Sequence, residues 1–311
     1  MIHLFSEAML TAFVLAALAS AMPLLLAAIG ETVGEQSGVL NLGVEGLLLV
    51  GGYFGFVATL LTGNFWLGFL VGALAGAALS VIMLVLSVLL GLNQIVVGLG
   101  ITLAGTGLTS VLYDFSYGDS KPRLGLADPW RIPFLSDLPV LGESLFSQPG
   151  IFAVSLLLFA LIWVWITRTT GGLRLRAAGQ MPAALDAAGG NVTLTRALAV
   201  LCGGALAGLG GAYLALISAG TFTPGMTHGL GFLAIVVAML GRGRLPWVLL
   251  ISLVYGLLVA LGTVLQLTTV TIPNDVISML PFVVVMVVLT LFPRSSALPP
   301  ALATLYVRGA R

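Results

Sequence analysis

The sequence predicts an all-α fold, a polytopic bundle of about nine transmembrane helices with a possible inverted repeat. Three observations predict it. Hydrophobic residues make up 59% of the 311 and charged residues only 7%, against roughly 25% in an average soluble protein. The apolar residues gather in long runs, and about 20 suffice to cross a bilayer as a helix. The polar residues gather in a few stretches between those runs. The whole chain, 1–311, reads as one transmembrane domain, multi-pass in the cell (inner) membrane. The net charge of +1 argues against a nucleic-acid partner.

The first apolar run covers 8–29. No basic residue occurs before Lys121, so this run lacks the basic n-region of a cleavable signal peptide. The next three runs cover 44–62, 65–90 and 93–113. After a polar stretch, 114–149, a fifth run covers 150–167. The sixth, 197–219, carries Gly203, Gly204, Gly208, Gly210 and Gly211, as expected for closely packed helices. It also holds the only cysteine, Cys202, read as a small packing residue. The seventh, 229–241, is short enough for a half-helix or re-entrant element. The last two cover 246–267 and 276–292.

Charge sets the orientation. Arg168, Arg174, Arg176, Arg196, Arg242, Arg244, Arg294, Arg308 and Arg311 fall on one side of this count. Lys121, Arg123 and Arg131 fall on the other. The 168–196 loop and the C-terminus are therefore expected in the cytoplasm, and the N-terminus outside. The outer loop, 114–149, contains Pro122, Pro129, Pro133, Pro139 and Pro149 and reads as an ordered cap with little helix. Such long loops usually have a job, either as a connector or as a dock for an external partner.

Within the cytoplasmic loop a short alanine-rich helix is expected, with Pro182 in its first turn and Gly189-Gly190 at its end. A helix outside the bilayer has little core to serve, which makes it a surface for another protein.

Two polar interruptions follow long apolar runs. The first, Gly30 to Gly46, carries Glu31, Glu35, Glu45, Gln36, Ser37 and Asn41. Ionisable groups at membrane depth are costly and usually face a cavity or a partner. Two readings stand: a broken helix lining a translocation path, or a cytoplasmic hairpin whose glutamates are solvated or paired with arginines. The second interruption, 220–230, holds Phe222, Thr223, Met226, Thr227 and His228. An aromatic ring among hydrogen-bonding groups suits a ring-bearing polar solute, and equally an interfacial loop. The two long runs should cross in opposite directions, the pattern of inverted-repeat transporters. Asn93 and Gln94 open the fourth run as amide donors to a solute or, for Asn93, as a helix cap.

Enzyme chemistry finds no support. The sequence contains no GxSxG, HExxH or GxxxxGK[ST] pattern, and two histidines do not make a His-rich metal site.

Four stretches in order carry a resemblance: SGVLNLGVEG, GLRLRAAGQMPAALDAAGGNV, RALAVLCGGALAGLGGAYLAL and GFLAIVVAMLGRGRLP. Together they resemble the permease subunits of ABC importers in the branched-chain amino acid/simple sugar superfamily. The likeness is greatest to the shorter permease of nucleoside-type importers and spans about residues 20–292. It implies an inverted-repeat helical permease that binds no cofactor itself, ATP and Mg being held by a partner ATPase. It also implies a second homologous permease and an extracytoplasmic solute-binding protein. The implied ATPase-coupling residues are Arg174, Arg176, Gly179, Gln180, Pro182, Ala183, Ala184, Asp186 and Gly189, with Ala183, Ala184, Leu185 and Ala188 as the contact knob. Gln180 and Met181 depart from the acidic residue and asparagine that often precede the proline, and Gly190 from the usual aliphatic residue. The expected substrate path comprises Glu35, Asn41, Glu45, Asn93, Gln94, Phe222, Thr223 and Met226, for a nucleoside first and a simple sugar second. The competing reading is an ion-coupled secondary transporter using Glu31, Glu35 or Glu45.

Overall fold

The computed structural model describes residues 7–118, 120–130, 144–145, 147–266, 279, 282–284, 286–287, 290 and 298–306. Its helices are α1 (Glu7–Ser37), α2 (Val44–Thr62), α3 (Phe65–Met83), α4 (Gln94–Tyr117), α5 (Gly150–Arg168), α6 (Thr170–Gln180), α7 (Pro182–Ala187), α8 (Val192–Tyr213), α9 (Leu230–Gly241) and α10 (Leu245–Gln266). Both α3 and α8 end in a π-helical stretch, Leu84–Leu89 and Leu214–Ser218. Among the described residues, seven helices are long and apolar enough to cross a membrane. They account for seven of the expected runs, and the short α9 is the eighth. The ninth, 276–292, lies largely outside the described residues.

Local chemistry sets the helix ends. Asn64, Asn93 and Asn191 cap α3, α4 and α8, each accepting backbone N–H groups of the first turn, where the helix itself offers no acceptor. Gly63 ends α2 in the left-handed region at φ 69°, which costs glycine little.

α8 forms the centre and packs against α1, α2 and α3. Its glycines let backbones meet. A Cβ on Gly30 would lie 2.7 Å from the Gly203 carbonyl oxygen, and one on Gly76 would lie 2.7 Å from the Gly208 Cα. Residue pairs fix the directions. Pro23 meets Gly210, Gly30 meets Gly203, and Ser37 meets Arg196, so α1 and α8 are antiparallel. Gly51 meets Gly208 and Gly55 meets Ala212, so α2 runs with α8.

Contacts also sort the ends of the bundle. Ser37, Ala178, Arg196 and Thr304 meet at one end, where Gln36 also reaches Gly243. Arg174, Arg176, Arg242 and Arg244 belong to the segments gathered there. At the opposite end Ser144 reaches Thr11, and Thr221 reaches Pro122 beside Lys121 and Arg123.

Four expectations need correction. The first apolar run does not stop at Ile29: α1 continues through Ser37, because its polar last turns are buried against α8 and α9. The interruption is therefore only Gly38–Gly43. The 168–196 segment is mostly helical, and Gly179 and Gln180 belong to α6 rather than to the proline-led helix. Helix α4 extends to Tyr117, into the expected outer loop. Residues 120–130 contain no helix, Ser144 and Leu145 are helical, and Trp130 N–H donates to the Gln148 carbonyl across the loop. Residues 131–143 lie outside the described residues. Cys202 also differs from its reading: it is exposed on α8 rather than packed in the core.

Candidate functional site

The first interruption is a re-entrant turn lying inside the bundle. Gly38 takes φ 92°, a backbone that only glycine adopts freely. Non-helical backbone at membrane depth must have its hydrogen bonds met by protein. Here polar side chains meet them. Leu40 N–H donates to Gln94 Oε1 at 2.8 Å, Asn41 N–H to Glu31 Oε1 at 3.0 Å, and Gly43 N–H to Asn41 Oδ1 at 2.9 Å. Thr102 Oγ1 donates to the Leu42 carbonyl at 2.9 Å. Ala303 N–H donates to the Gly38 carbonyl.

The second interruption, 219–229, returns the chain from the far end of α8 to the start of α9. There Glu45, on the first turn of α2, accepts three bonds. They come from Thr227 Oγ1 at 2.6 Å, Gly229 N–H at 2.8 Å and Gly231 N–H at 2.6 Å. Two of the donors are open N–H groups at the N-terminus of α9, which favours negative charge, and the third is the Thr227 hydroxyl. Since Gly51 faces Gly208, Glu45 lies near the level of Cys202, about 9 Å along the axis from Arg196. The start of α2 is thus bonded to the start of α9 inside the bundle, nearer its basic end.

All three glutamates are buried: Glu31 is 3% exposed, Glu35 2% and Glu45 7%. This overturns the solvated-hairpin reading. Among the described residues they form no ion pair, and Arg294, Arg308 and Arg311 lie outside the described residues. Glu35 Oε1 has no hydrogen-bond partner. Asn93 caps α4 at 2.9 and 3.3 Å. Asn41, Glu45 and Gln94 spend acceptor atoms on the two re-entrant segments.

Phe222 is fully buried in an aromatic cluster. Its ring centroid lies 5.3 Å from Tyr53 and 5.6 Å from Tyr113, which in turn lies 5.9 Å from Tyr117. Thr223 is exposed and Met226 half-buried. The cluster sits between α2, α4 and the 219–229 segment. The outer cap is bonded to that segment, with Leu124 N–H donating to the Gly220 carbonyl at 2.8 Å.

At the basic end, α6 and α7 form a bent unit. Leu185 turns inward and packs with Ala178 and Val192, so it does not belong to the expected knob. Met181, Ala183, Ala184, Ala187, Ala188 and Gly189 are exposed, while Pro182 and Asp186 are half-buried. Gly179 is buried, and its backbone presses on α1: a Cβ there would lie 3.0 Å from the Gly38 nitrogen. Gln180 and Arg174 are exposed and Arg176 is half-buried. The sequence reading missed Arg196 as the centre of this end. Its buried guanidinium donates to the carbonyls of Ser37 (3.2 Å), Thr304 (2.8 Å) and Ala178 (3.4 Å). Its place among apolar residues at 197–200 was the available signal.

Two antiparallel long helices, each followed by a buried non-helical segment and a further helix, fit the class of membrane transport proteins. The chain belongs to the family described as branched-chain amino acid transport system, permease component, which it matches over residues 13–289. It is a permease subunit of an ABC importer and a multi-pass membrane protein.

Named relatives agree. The chain is 39% identical over 246 residues to a putative glucose ABC transporter permease protein, TsgC13, of Haloferax volcanii, covering 78% of this chain and 74% of that one. It is 32% identical over 302 residues to the nucleoside ABC transporter permease protein NupC of Lactococcus lactis, covering 92% and 94%. It is 32% identical over 317 residues to the guanosine ABC transporter permease protein NupQ of Bacillus subtilis, covering 97% and 98%. No solved structure matches the chain.

Proposed function

We propose that this permease carries a nucleoside, or failing that a simple sugar, into the cell, driven by a separate cytoplasmic ATPase that docks on α7. The observation that carries the reading is the exposed alanine face of α7, mounted through buried Gly179 on the end of α1. Small side chains let a partner approach closely, and the basic end is the cytoplasmic one by the positive-inside rule. The nucleoside preference rests on the relatives named for nucleosides and guanosine, which span nearly the whole chain.

In this mechanism the partner binds ATP and Mg. Its closure moves α7, and Gly179 passes the movement to α1 and the Gly38–Gly43 turn. Access then alternates between two packings of the bundle. Glu45 and its donors on α9 stand where the two repeats would part. A second, homologous permease completes the pore. A solute-binding protein delivers solute at the outer cap, whose link to Gly220 leads toward Phe222.

The test is co-purification of the tagged chain in mild detergent, followed by uptake in liposomes. An ATPase and a second permease should come with it, and guanosine uptake should require ATP. The chain arriving alone, and moving solute along an imposed proton or sodium gradient, would overturn the reading in favour of an ion-coupled carrier.

A further inference from the structure

A cavity of about 810 Å³ opens between α5 and α8 under the α6–α7 unit. We propose that it binds an anionic phospholipid from the leaflet at the basic end, with the headgroup phosphate at Arg174. The proposal needs only a membrane-embedded chain, so it stands apart from the ATPase reading.

The walls are apolar. Leu161 and Trp165 of α5 face Leu194, Leu198 and Cys202 of α8, with Val33 of α1 as the floor. Leu161, Leu194 and Leu198 are each more than half exposed, so the cavity is open at its side. Both walls are helices long and apolar enough to cross the membrane, so an opening between them at the side of the bundle is accessible to lipid. Apolar walls open to the bilayer side suit hydrocarbon chains better than water.

One end differs from the rest. Arg174 and Asn191 line the cavity there, and no acidic residue does. Arg174 makes no hydrogen bond among the described residues and is exposed, leaving its guanidinium free for a phosphate. Trp165 lies beside them, its indole nitrogen 2.8 Å from where a Gly171 Cβ would stand; tryptophan favours this headgroup depth. An apolar trough with a single cationic end has the shape and polarity of one amphiphile. Its roof is Gly189–Asn191, the link between α7 and α8. A bound lipid would therefore brace the joint on which α7 turns.

The test uses the full chain in mild detergent with equal phosphatidylglycerol and phosphatidylcholine, read by native mass spectrometry. A benzophenone attached to Cys202, the chain's only cysteine, locates the occupant by photocrosslinking. We expect phosphatidylglycerol to be crosslinked about fivefold more than phosphatidylcholine, the factor one basic side chain contributes near an anionic surface. Arg174→Gln should remove that preference, and Arg174→Lys should keep it. Equal labelling of the two lipids, a preference that survives Arg174→Gln, or label on a protein chain, whether a second copy or another permease, would overturn the proposal.

Discussion

Glu45 holds the start of α9 through three hydrogen bonds, and each donor is left without an acceptor if the carboxylate goes. Glu45→Ala should destabilise the protein by about 3 kcal/mol, since buried unpaired donors cost about 1–3 kcal/mol each with partial relaxation. Glu45→Gln should do no better than half restore it, because its amide NH₂ cannot accept from Gly231 N–H. Thermal melting in detergent checks both. Arg196 acts in the same way at the basic end. Arg196→Met strips donors from three carbonyls and should cost about 2 kcal/mol or more. Hydrogen exchange at 298–306 should rise in that variant, because Thr304 loses its tie to the bundle, while exchange in α4 stays unchanged. A carboxylate at membrane depth is visible in the sequence as an anomaly. Its partner Thr227 is 182 positions away, and no local pattern points there. For the same reason no local pattern shows that Asn41 and Gln94, read as solute-binding groups, also accept bonds from the backbone of a turn.

Among the elements, α7 was the most legible. Pro182 at its first position, the alanines and the left-handed Gly189 at φ 82° are local signals that need no tertiary context. Its neighbour α6 was not legible, because Gly171 and Gly172 open it and glycine weakens helix propensity. Thr169 supplies the start instead, accepting from Gly172 N–H at 3.2 Å. The last turns of α1 were misread for the opposite reason. GETVGEQS is polar, yet it remains helical because it is enclosed by other helices. On the proposed coupling role, Ala184→Arg should lower ATP-driven uptake about tenfold or more, the effect of roughly 1.4 kcal/mol lost at an interface. ATP hydrolysis and solute-binding-protein affinity should persist. Paired uptake and ATPase assays on the complex check it, and normal uptake would remove α7 from that role.

Across the whole molecule, backbone contact between α8 and its neighbours decides the packing. A Cβ on Gly208 would clash with the Gly72 carbonyl oxygen and lie 2.9 Å from the Gly76 Cα, so a side chain there would push α3 off α8. Gly208→Val should cost about 3 kcal/mol or more through overpacking, and the variant should accumulate poorly in membranes. Gly107, with nothing near its missing Cβ, should accept valine with little loss. Quantitative membrane blots of the two variants separate the cases. By itself the sequence determined that the chain is a helical membrane protein, where most spans lie, which segments share a side, and the family. Those are properties of composition, run length and local motif, which a chain carries without knowing its neighbours. Only the tertiary structure decided that α1 runs on to Ser37, that Glu45 joins the start of α2 to the start of α9, and that Arg196 ties three segments together. Each depends on groups far apart in sequence satisfying one another where water is absent, and that requirement exists only once the helices are packed.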